Sequence, residues 1–312
     1  MRVVFFGSAP IGFPLLEALL ASPSDEVVAV VTQPDRPVGR KLCLTACPVK
    51  ELAQEKGLTV LCPEKIGSPE GLEALRPLNA DLFVVIAYGQ YIPPSVLALP
   101  ANGSINLHPS LLPKYRGSSP IQWALANGDT GTGATILYVS EKMDSGDIIL
   151  QRAVPIRPQD NAVTLESVLS QVGAELLMEA VGQIRSGTVQ AVPQDDAQAV
   201  EVRKLVKEDG RLDWTLPAEE LNNRIRAFIA WPGCFCEVPV RSETQRLKVL
   251  VARVEDGCGE PGEVLEAAGD GLLVATGEGA LCLIDVQPAG KKVMDGAAYL
   301  RGYPTVPGAH LS

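Results

Sequence analysis

Over the first half of the chain, short apolar runs alternate with longer segments of mixed polarity. The runs at 3–6, 26–32, 59–61, 82–87, 104–108 and 133–138 have the length of strands, and the segments 11–21, 48–56, 69–75, 121–127 and 165–186 carry apolar residues at helical spacing. Strands that are apolar throughout, rather than alternating, are covered on both faces. The pattern therefore predicts an α/β domain, a doubly wound, mostly parallel sheet flanked by helices. Ligands of such sheets bind outside the carboxyl ends of the strands. Residues 188–203 break the rhythm: 188–201 is rich in Gln, Ala, Asp and Pro and reads as a linker. Beyond it, runs at 247–254, 262–265, 271–276 and 279–286 lie between Gly, Asp and Pro turns, with one helix at 218–227, as in a small OB-like β-barrel. The expected division is 1–187, 188–203 as linker, and 204–312.

Composition narrows the function classes. With 46% hydrophobic and 21% charged residues and a mean hydropathy of +0.14, the 312 residues can bury a core, which excludes wholesale disorder. A net charge of −10 repels nucleic acid and anionic membranes as a whole, so any such partner must be met by a local basic patch. One exists at 34–50, where Arg36, Arg40, Lys41 and Lys50 face Asp35 alone; the bland alternative is a solvated basic loop. The seven cysteines form no paired Cys-x-x-Cys set and only two histidines are present, which points to reduced, mostly buried thiols in a cytoplasmic chain without a metal site. The uncharged stretch 82–113 is interrupted by Gly89, Pro93, Pro94 and Pro100, so no membrane span is expected, and the turn at 7–12 argues against a signal peptide.

The segment 102–120 is richest in candidate chemistry. Strand alternation sets Asn106 and His108 on one face, and Pro109 ends the strand, leaving His108 at its carboxyl end. An amide there can donate to a developing oxyanion, and an imidazole can carry a proton near neutral pH. Taken alone, the pair equally suits a loop whose backbone it satisfies. Ser110, Leu111, Leu112 and Pro113, followed by 115–120, form a rigid apolar loop beside that face, able to hold a flat heterocycle. Asp144, in the acidic turn after 133–138, is available to orient His108, or is a turn cap. Gly7 and Gly12 have neither the dinucleotide nor the P-loop spacing.

The segments Asn106-x-His108-Pro109-Ser110-Leu111-Leu112-Pro113, Tyr115-Arg116-Gly117-x-x-Pro120-Ile121-Gln122-Trp123 and Asp144-x-Gly146-Asp147 resemble the signature of folate-dependent formyltransferases. The resemblance implies a Rossmann-like catalytic domain with Asn106, His108 and Asp144 as the catalytic trio. It implies 10-formyltetrahydrofolate as co-substrate, bound beside Ser110, Leu111, Leu112 and Pro113 with its pterin against the strand end at Ile86 and Tyr88, and no metal. Segments 33–40 with 48–50, 204–214 and 287–292 narrow the resemblance to members that formylate methionyl-tRNA of the initiator type for translation initiation. For these, Arg36, Arg40 and Lys41 are implied to meet the tRNA, and the C-terminal barrel to dock it. The implied partners are that tRNA and folate, with no membrane and no obligate protein partner. The barrel region 205–312 has 11 Lys+Arg against 16 Asp+Glu, so an RNA face must come from a cluster such as Arg211, Arg224, Arg226, Lys291 and Lys292.

Two competing readings remain. One keeps the folate chemistry with another acceptor: glycinamide ribonucleotide, an amino sugar nucleotide, or water. The other is a catalytically silent RNA-binding protein on the same fold, which would be expected to lack one of the three polar residues.

Overall fold

The computed structural model describes residues 1–38, 42–240 and 243–312. The chain divides into two compact units, the first made of 1–117, 132–155 and 166–201, the second of 118–131, 156–165 and 202–312.

The first unit is built on strands β1 (Arg2–Gly7), β2 (Glu26–Val31), β5 (Val60–Leu61), β6 (Leu82–Ile86), β7 (Ser104–His108), β9 (Gly131–Tyr138) and β10 (Ile148–Pro155), in the spatial order β10-β9-β7-β6-β1-β2-β5. Strands β1, β2, β5, β6 and β7 run parallel. β9 is antiparallel to β7, so the sheet is mostly but not wholly parallel. β1 and β6 lie at the centre and are buried along nearly their whole length, which explains their continuous apolar sequence. Phe6 anchors the layer beside them, its ring centroid 4.9 Å from Phe83 and 5.4 Å, edge-on, from Tyr88.

Local signals start the helices. Pro14 lies in the first turn of Phe13–Ala21 and Pro48 opens Pro48–Glu55, positions that need no backbone donor. Pro69–Leu75 is capped by Ser68, whose Oγ accepts from the Gly71 N–H at 3.2 Å. The long helix Ala162–Ser186 begins three residues before its expected start because Asn161 Oδ1 accepts from the N–H groups of Val163 and Thr164. The chain winds outward from β1 through β2 to β5, then returns to β6 and β7 on the other side of β1. This reversal opens a crevice at the carboxyl ends of β1 and β6.

Two small ribbons complete the unit: a hairpin of β3 (Arg36–Val38) and β4 (Cys43–Thr45), and a pair formed by β8 (Lys114–Gly117) with β11 (Val200–Val202). The expected linker thus contains a strand and a 3-10 turn at Asp196–Gln198. Among the described residues, no helix is long and apolar enough to cross a membrane.

The second unit is an antiparallel sheet of β12 (Cys234–Val240), β13 (Glu243–Glu255), β14 (Val264–Ala268), β15 (Gly271–Ala275) and β16 (Ala280–Pro288), in the order β12-β13-β16-β15-β14. β13 bends at irregularities between Val249 and Ala252, which lets one long strand follow a curled sheet. The last residues join the two edges: His310 bridges Glu263 at the start of β14, and Ser312 and Glu237 of β12 exchange backbone hydrogen bonds of 3.0 and 2.6 Å. The sheet is a curled half-barrel, in keeping with the OB-like expectation, and the C-terminal residues bridge its two edges. Helices Pro120–Ala126 and Ala218–Ala227 pack together beneath it, with Trp123 edge-on to Phe228 at 6.2 Å.

Of the seven free thiols, Cys234, Cys236 and Cys282 are buried, whereas Cys43 and Cys258 are exposed and Cys47 and Cys62 are half-buried. The expectation of mostly buried cysteines is therefore corrected. Two sit on short turns and ribbon edges where no apolar layer covers them.

Candidate active site

β7 carries Asn106 and His108 to the crevice as the alternation predicts. Ile105 and Leu107 are buried, His108 is 4% exposed, and Asn106 is half-buried. The Asn106 amide makes no hydrogen bond among the described residues, which leaves its N–H groups for a ligand. His108 Nε2 lies 2.8 Å from the Tyr115 carbonyl oxygen. A carbonyl only accepts, so Nε2 carries the hydrogen and Nδ1 is the position that can take up or release a proton. Nδ1 faces Asp144, whose Oδ2 is 3.5 Å away, longer than a direct hydrogen bond but close enough for a carboxylate to act on the ring.

Asp144 reaches this position because the turn after β9 folds back toward β8. Its Oδ2 accepts from the Gly117 N–H at 2.9 Å, and its backbone sits in the left-handed region at φ 50°. Tyr115 at φ 65° and Ser119 at φ 66° are also left-handed. Such conformations are costly for residues with a Cβ and persist where the surroundings hold them. His108 and Asp144 are thus brought together, with Asn106 two residues before His108 on the same face of β7.

The loop after β7 is pinned from below. Ser110 Oγ donates to the Lys114 carbonyl at 2.6 Å, Thr135 Oγ1 donates to the Ser110 carbonyl at 2.6 Å, and Gln151 Nε2 donates to the Leu112 carbonyl at 2.8 Å. Ser110 and Leu112 are buried, while Leu111 and Pro113 are half-buried and form the accessible part of the loop. Thr135 and Gln151 carry no motif, so the sequence reading missed them.

At the end of β6, the side chains of Ile86 and Tyr88 turn into the core, 1% and 2% exposed. The Tyr88 hydroxyl has no partner among the described residues, and burial drives its phenol well above the ordinary range, so it is an apolar wall and not an acid. What this end presents outward is the backbone at Ala87 and Gly89, both at positive φ. Ser8 Oγ and Gln33 Nε2 hold that turn by donating to the Tyr88 carbonyl at 3.2 and 2.9 Å. A Cβ at Gly89 would come within 2.1 Å of Gln33 Nε2. From Gly89 a cleft of about 550 Å³ runs past Gln90, Tyr91 and Lys65.

Of the expected basic residues, Arg40 and Lys41 lie outside the described residues. Arg36 is exposed on β3 and pairs with Glu64 at 3.5 Å. Lys50 is bound to Asp35 at 2.7 Å, a hydrogen bond that holds its ammonium above the usual lysine range. Glu64, outside the stretch 34–50, thus offsets one more positive charge than the sequence count, which already includes Asp35. In the second unit, Arg224 pairs with Glu220 at 3.0 Å, and Arg226 donates to the Asp160 carbonyl and Asn223 Oδ1 at 2.7 and 2.6 Å. Both are committed within the unit.

A histidine and a carboxylate set against each other at the carboxyl edge of a doubly wound sheet are the arrangement of an α/β group-transfer enzyme. The particular family follows from comparison. The chain belongs to the formyl transferase family: residues 1–181 match the formyl transferase model and 204–304 its C-terminal domain. It is 45% identical to the methionyl-tRNA formyltransferase of Desulfotalea psychrophila over 97% of this chain and 93% of that protein. It is also 45% identical to that of Synechococcus sp., over 97% and 95%. Among solved structures it resembles HypX from Aquifex aeolicus in complex with tetrahydrofolic acid, with a TM-score of 0.63 and 20% identity over 96% of this chain and 47% of that chain. That likeness concerns the fold.

Proposed function

We propose that this chain transfers the formyl group of 10-formyltetrahydrofolate to the α-amino group of initiator-type methionyl-tRNA, yielding N-formylmethionyl-tRNA and tetrahydrofolate in the cytoplasm. The observation that carries the reading is the approach of Asp144 to His108 Nδ1 beside the half-buried Asn106, in a chain matched end to end by methionyl-tRNA formyltransferases. The pterin is assigned to the backbone at Ala87–Gly89 and the accessible Leu111 and Pro113. Backbone N–H and C=O groups there suit a heterocycle edged with donors and acceptors, and the half-buried loop suits its face.

The chemistry is a direct transfer. An amino group beside an ester is a weaker base than a free α-amine, so it is largely neutral and nucleophilic near pH 7. Its nitrogen attacks the formyl carbon, the carbonyl pair moves onto oxygen, and the Asn106 amide donates to that oxyanion. Removing one such donor typically costs about 10²–10³-fold in rate. As the tetrahedral intermediate collapses, the bond to the folate nitrogen breaks. The proton leaving the amine passes through the His108–Asp144 pair to that nitrogen, a shuttle worth about 10²–10⁴-fold. No step in this sequence needs a metal.

The division of labour assigns residues 1–187 to chemistry, with 188–203 joining them to 204–312, and assigns docking of the tRNA to Arg36, Arg40, Lys41 and the C-terminal unit. The test is transfer of labelled formyl to initiator methionyl-tRNA, with elongator methionyl-tRNA and glycinamide ribonucleotide as parallel acceptors. Rapid transfer to the initiator alone is expected. His108→Ala abolishes transfer and formylfolate hydrolysis, whereas Arg40→Ala weakens transfer and spares hydrolysis. Turnover with the small amine or water but with neither tRNA would overturn the acceptor assignment and keep the trio.

A further inference from the structure

The segment that reads as a linker is fastened to the first unit at four successive points. Val192 and Ile148 exchange backbone hydrogen bonds of 2.8 Å each, and Val200 N–H donates to the Pro113 carbonyl at 3.1 Å. Between them, Asp196 takes a 2.7 Å hydrogen bond from Arg116 Nη1. The central point is Gln194. Its Nε2 donates to the carbonyl oxygens of Asp144 at 2.9 Å and Gly146 at 2.8 Å, and its Oε1 accepts from Arg116 Nε at 2.9 Å. One side-chain amide thus uses both hydrogens and its oxygen within a single cluster.

The contacts form a closed ring. Arg116 lies next to Gly117, whose N–H holds the Asp144 carboxylate, and it follows Tyr115, whose carbonyl holds His108. Gln194 ties this same strand to the backbone of Asp144. The Arg116 side chain is only 2% exposed, so its position is fixed by packing as well as by these bonds. Asp144 needs such a clamp because its backbone is left-handed without being glycine, a conformation that the surrounding structure must hold.

We infer that Gln194 is a positioning residue for the transfer reaction, holding the Asp144 turn against β8 so that the carboxylate stays on His108 Nδ1. The inference rests on Asp144 acting in catalysis. Gln194 touches neither reacting group, so its effect passes entirely through Asp144. Groups that orient a functional residue in this way typically cost about 10–100-fold when removed.

Two variants separate the parts of the clamp. Gln194→Met loses all three bonds. Gln194→Glu keeps the acceptor for Arg116 and loses both donors, which preserves the link that a purely structural role needs. Formyl transfer at saturating methionyl-tRNA and 10-formyltetrahydrofolate is expected to fall about 10–100-fold in kcat for both variants, with each KM within about twofold of wild type. The decisive measurement is the double-mutant cycle with Asp144→Asn. Because Gln194 acts through that carboxylate, adding Gln194→Glu to Asp144→Asn should lower kcat by less than about threefold. A full additional loss in that background, or wild-type kcat in both single variants, would overturn the inference while leaving Asp144 catalytic. Unchanged kcat in Asp144→Asn alone would instead remove the catalytic assignment, and the inference with it.

Discussion

Gly146→Ala tests the geometry of the Asp144 turn, proposed to act in catalysis, with a single methyl group. A Cβ at Gly146 would stand 1.8 Å from the Tyr138 carbonyl oxygen and 2.9 Å from its carbon. Ordinary contact begins near 3.4 Å, so the turn must retreat by about 1.5 Å, since the obstacle is strand backbone and not a side chain that can rotate. Gly146 is two residues from Asp144, whose hydrogen bond to Gly117 is 2.9 Å and whose distance to His108 is 3.5 Å. A shift of that size breaks the first and takes the carboxylate out of reach of the second. Misplacement by about 1 Å costs about 10²-fold in comparable sites, so kcat is expected to fall at least that far. Residues 141–143 and 147 are exposed but Gly146 itself is buried, so overpacking there should cost about 1–3 kcal/mol, or a few degrees in Tm. The assay is initial-rate formyl transfer at saturating substrates alongside thermal unfolding. A kcat within threefold of wild type would refute the claim that the Asp144 turn sets the rate, and loss of kcat with a collapse in Tm would refute its local character.

Gly182→Ala is the matched contrast: nothing lies within 4 Å of its added Cβ in the helix Ala162–Ser186, so chemical denaturation should show a gain of about 0.5–1 kcal/mol with unchanged kcat. Burial opposes the charge of Asp25, but hydrogen bonds from Ser22 at 2.6 Å and from Arg185 at 2.9 Å outweigh it and hold its carboxyl below the ordinary value of 3.8. The folded state therefore gains from ionised Asp25 above that value and loses the gain as pH falls through the depressed one. Asp25→Asn should cost about 1–3 kcal/mol at pH 7, and urea midpoints of variant and wild type should converge as pH drops below 3.8. A thiol reagent followed by peptide mapping should label exposed Cys43 and Cys258 first. Cys234, whose thiol burial pushes up to about 12, and fully buried Cys236 should react only on unfolding.

The readable parts of the fold are those where one physical cause dominates. β1 and β6 are covered on both faces, so apolar continuity alone locates them, and Pro69–Leu75 and Ala218–Ala227 announce their ends by proline and capping chemistry. β10 is different: it is a sheet-edge strand whose Gln151, Arg152 and other outward residues hide its pairing, which depends on β9. The three-residue strands β3, β4 and β11 are shorter than any period that could reveal them. The residues 308–312 that bridge the edges of the curled sheet are held by backbone bonds to β12, to β14 and to the turn at Gly262, far from them in sequence, so no local pattern marks them.

The site divides along the same line. Asn106 and His108 lie two apart on one strand, a spacing that alternation converts directly into a shared face. Ile86 and Tyr88 obey that alternation as well, yet their face is the core, and the outward positions are the small residues Ala87, between them, and Gly89, after them. A ligand approaching there meets backbone, for which side-chain identity is a poor guide. Asp144 and Gln194 are 50 residues apart, and Gln194 is 78 residues from Arg116. Their contact exists because β8 pairs with β11, and Val192 pairs with Ile148, so that the chain preceding β11 is drawn across the Asp144 turn. Compositional polarity in 188–201 therefore marks a segment bound through polar groups and not a loose one. In this chain the side-chain amide that binds the Asp144 turn lies where the sequence shows least order.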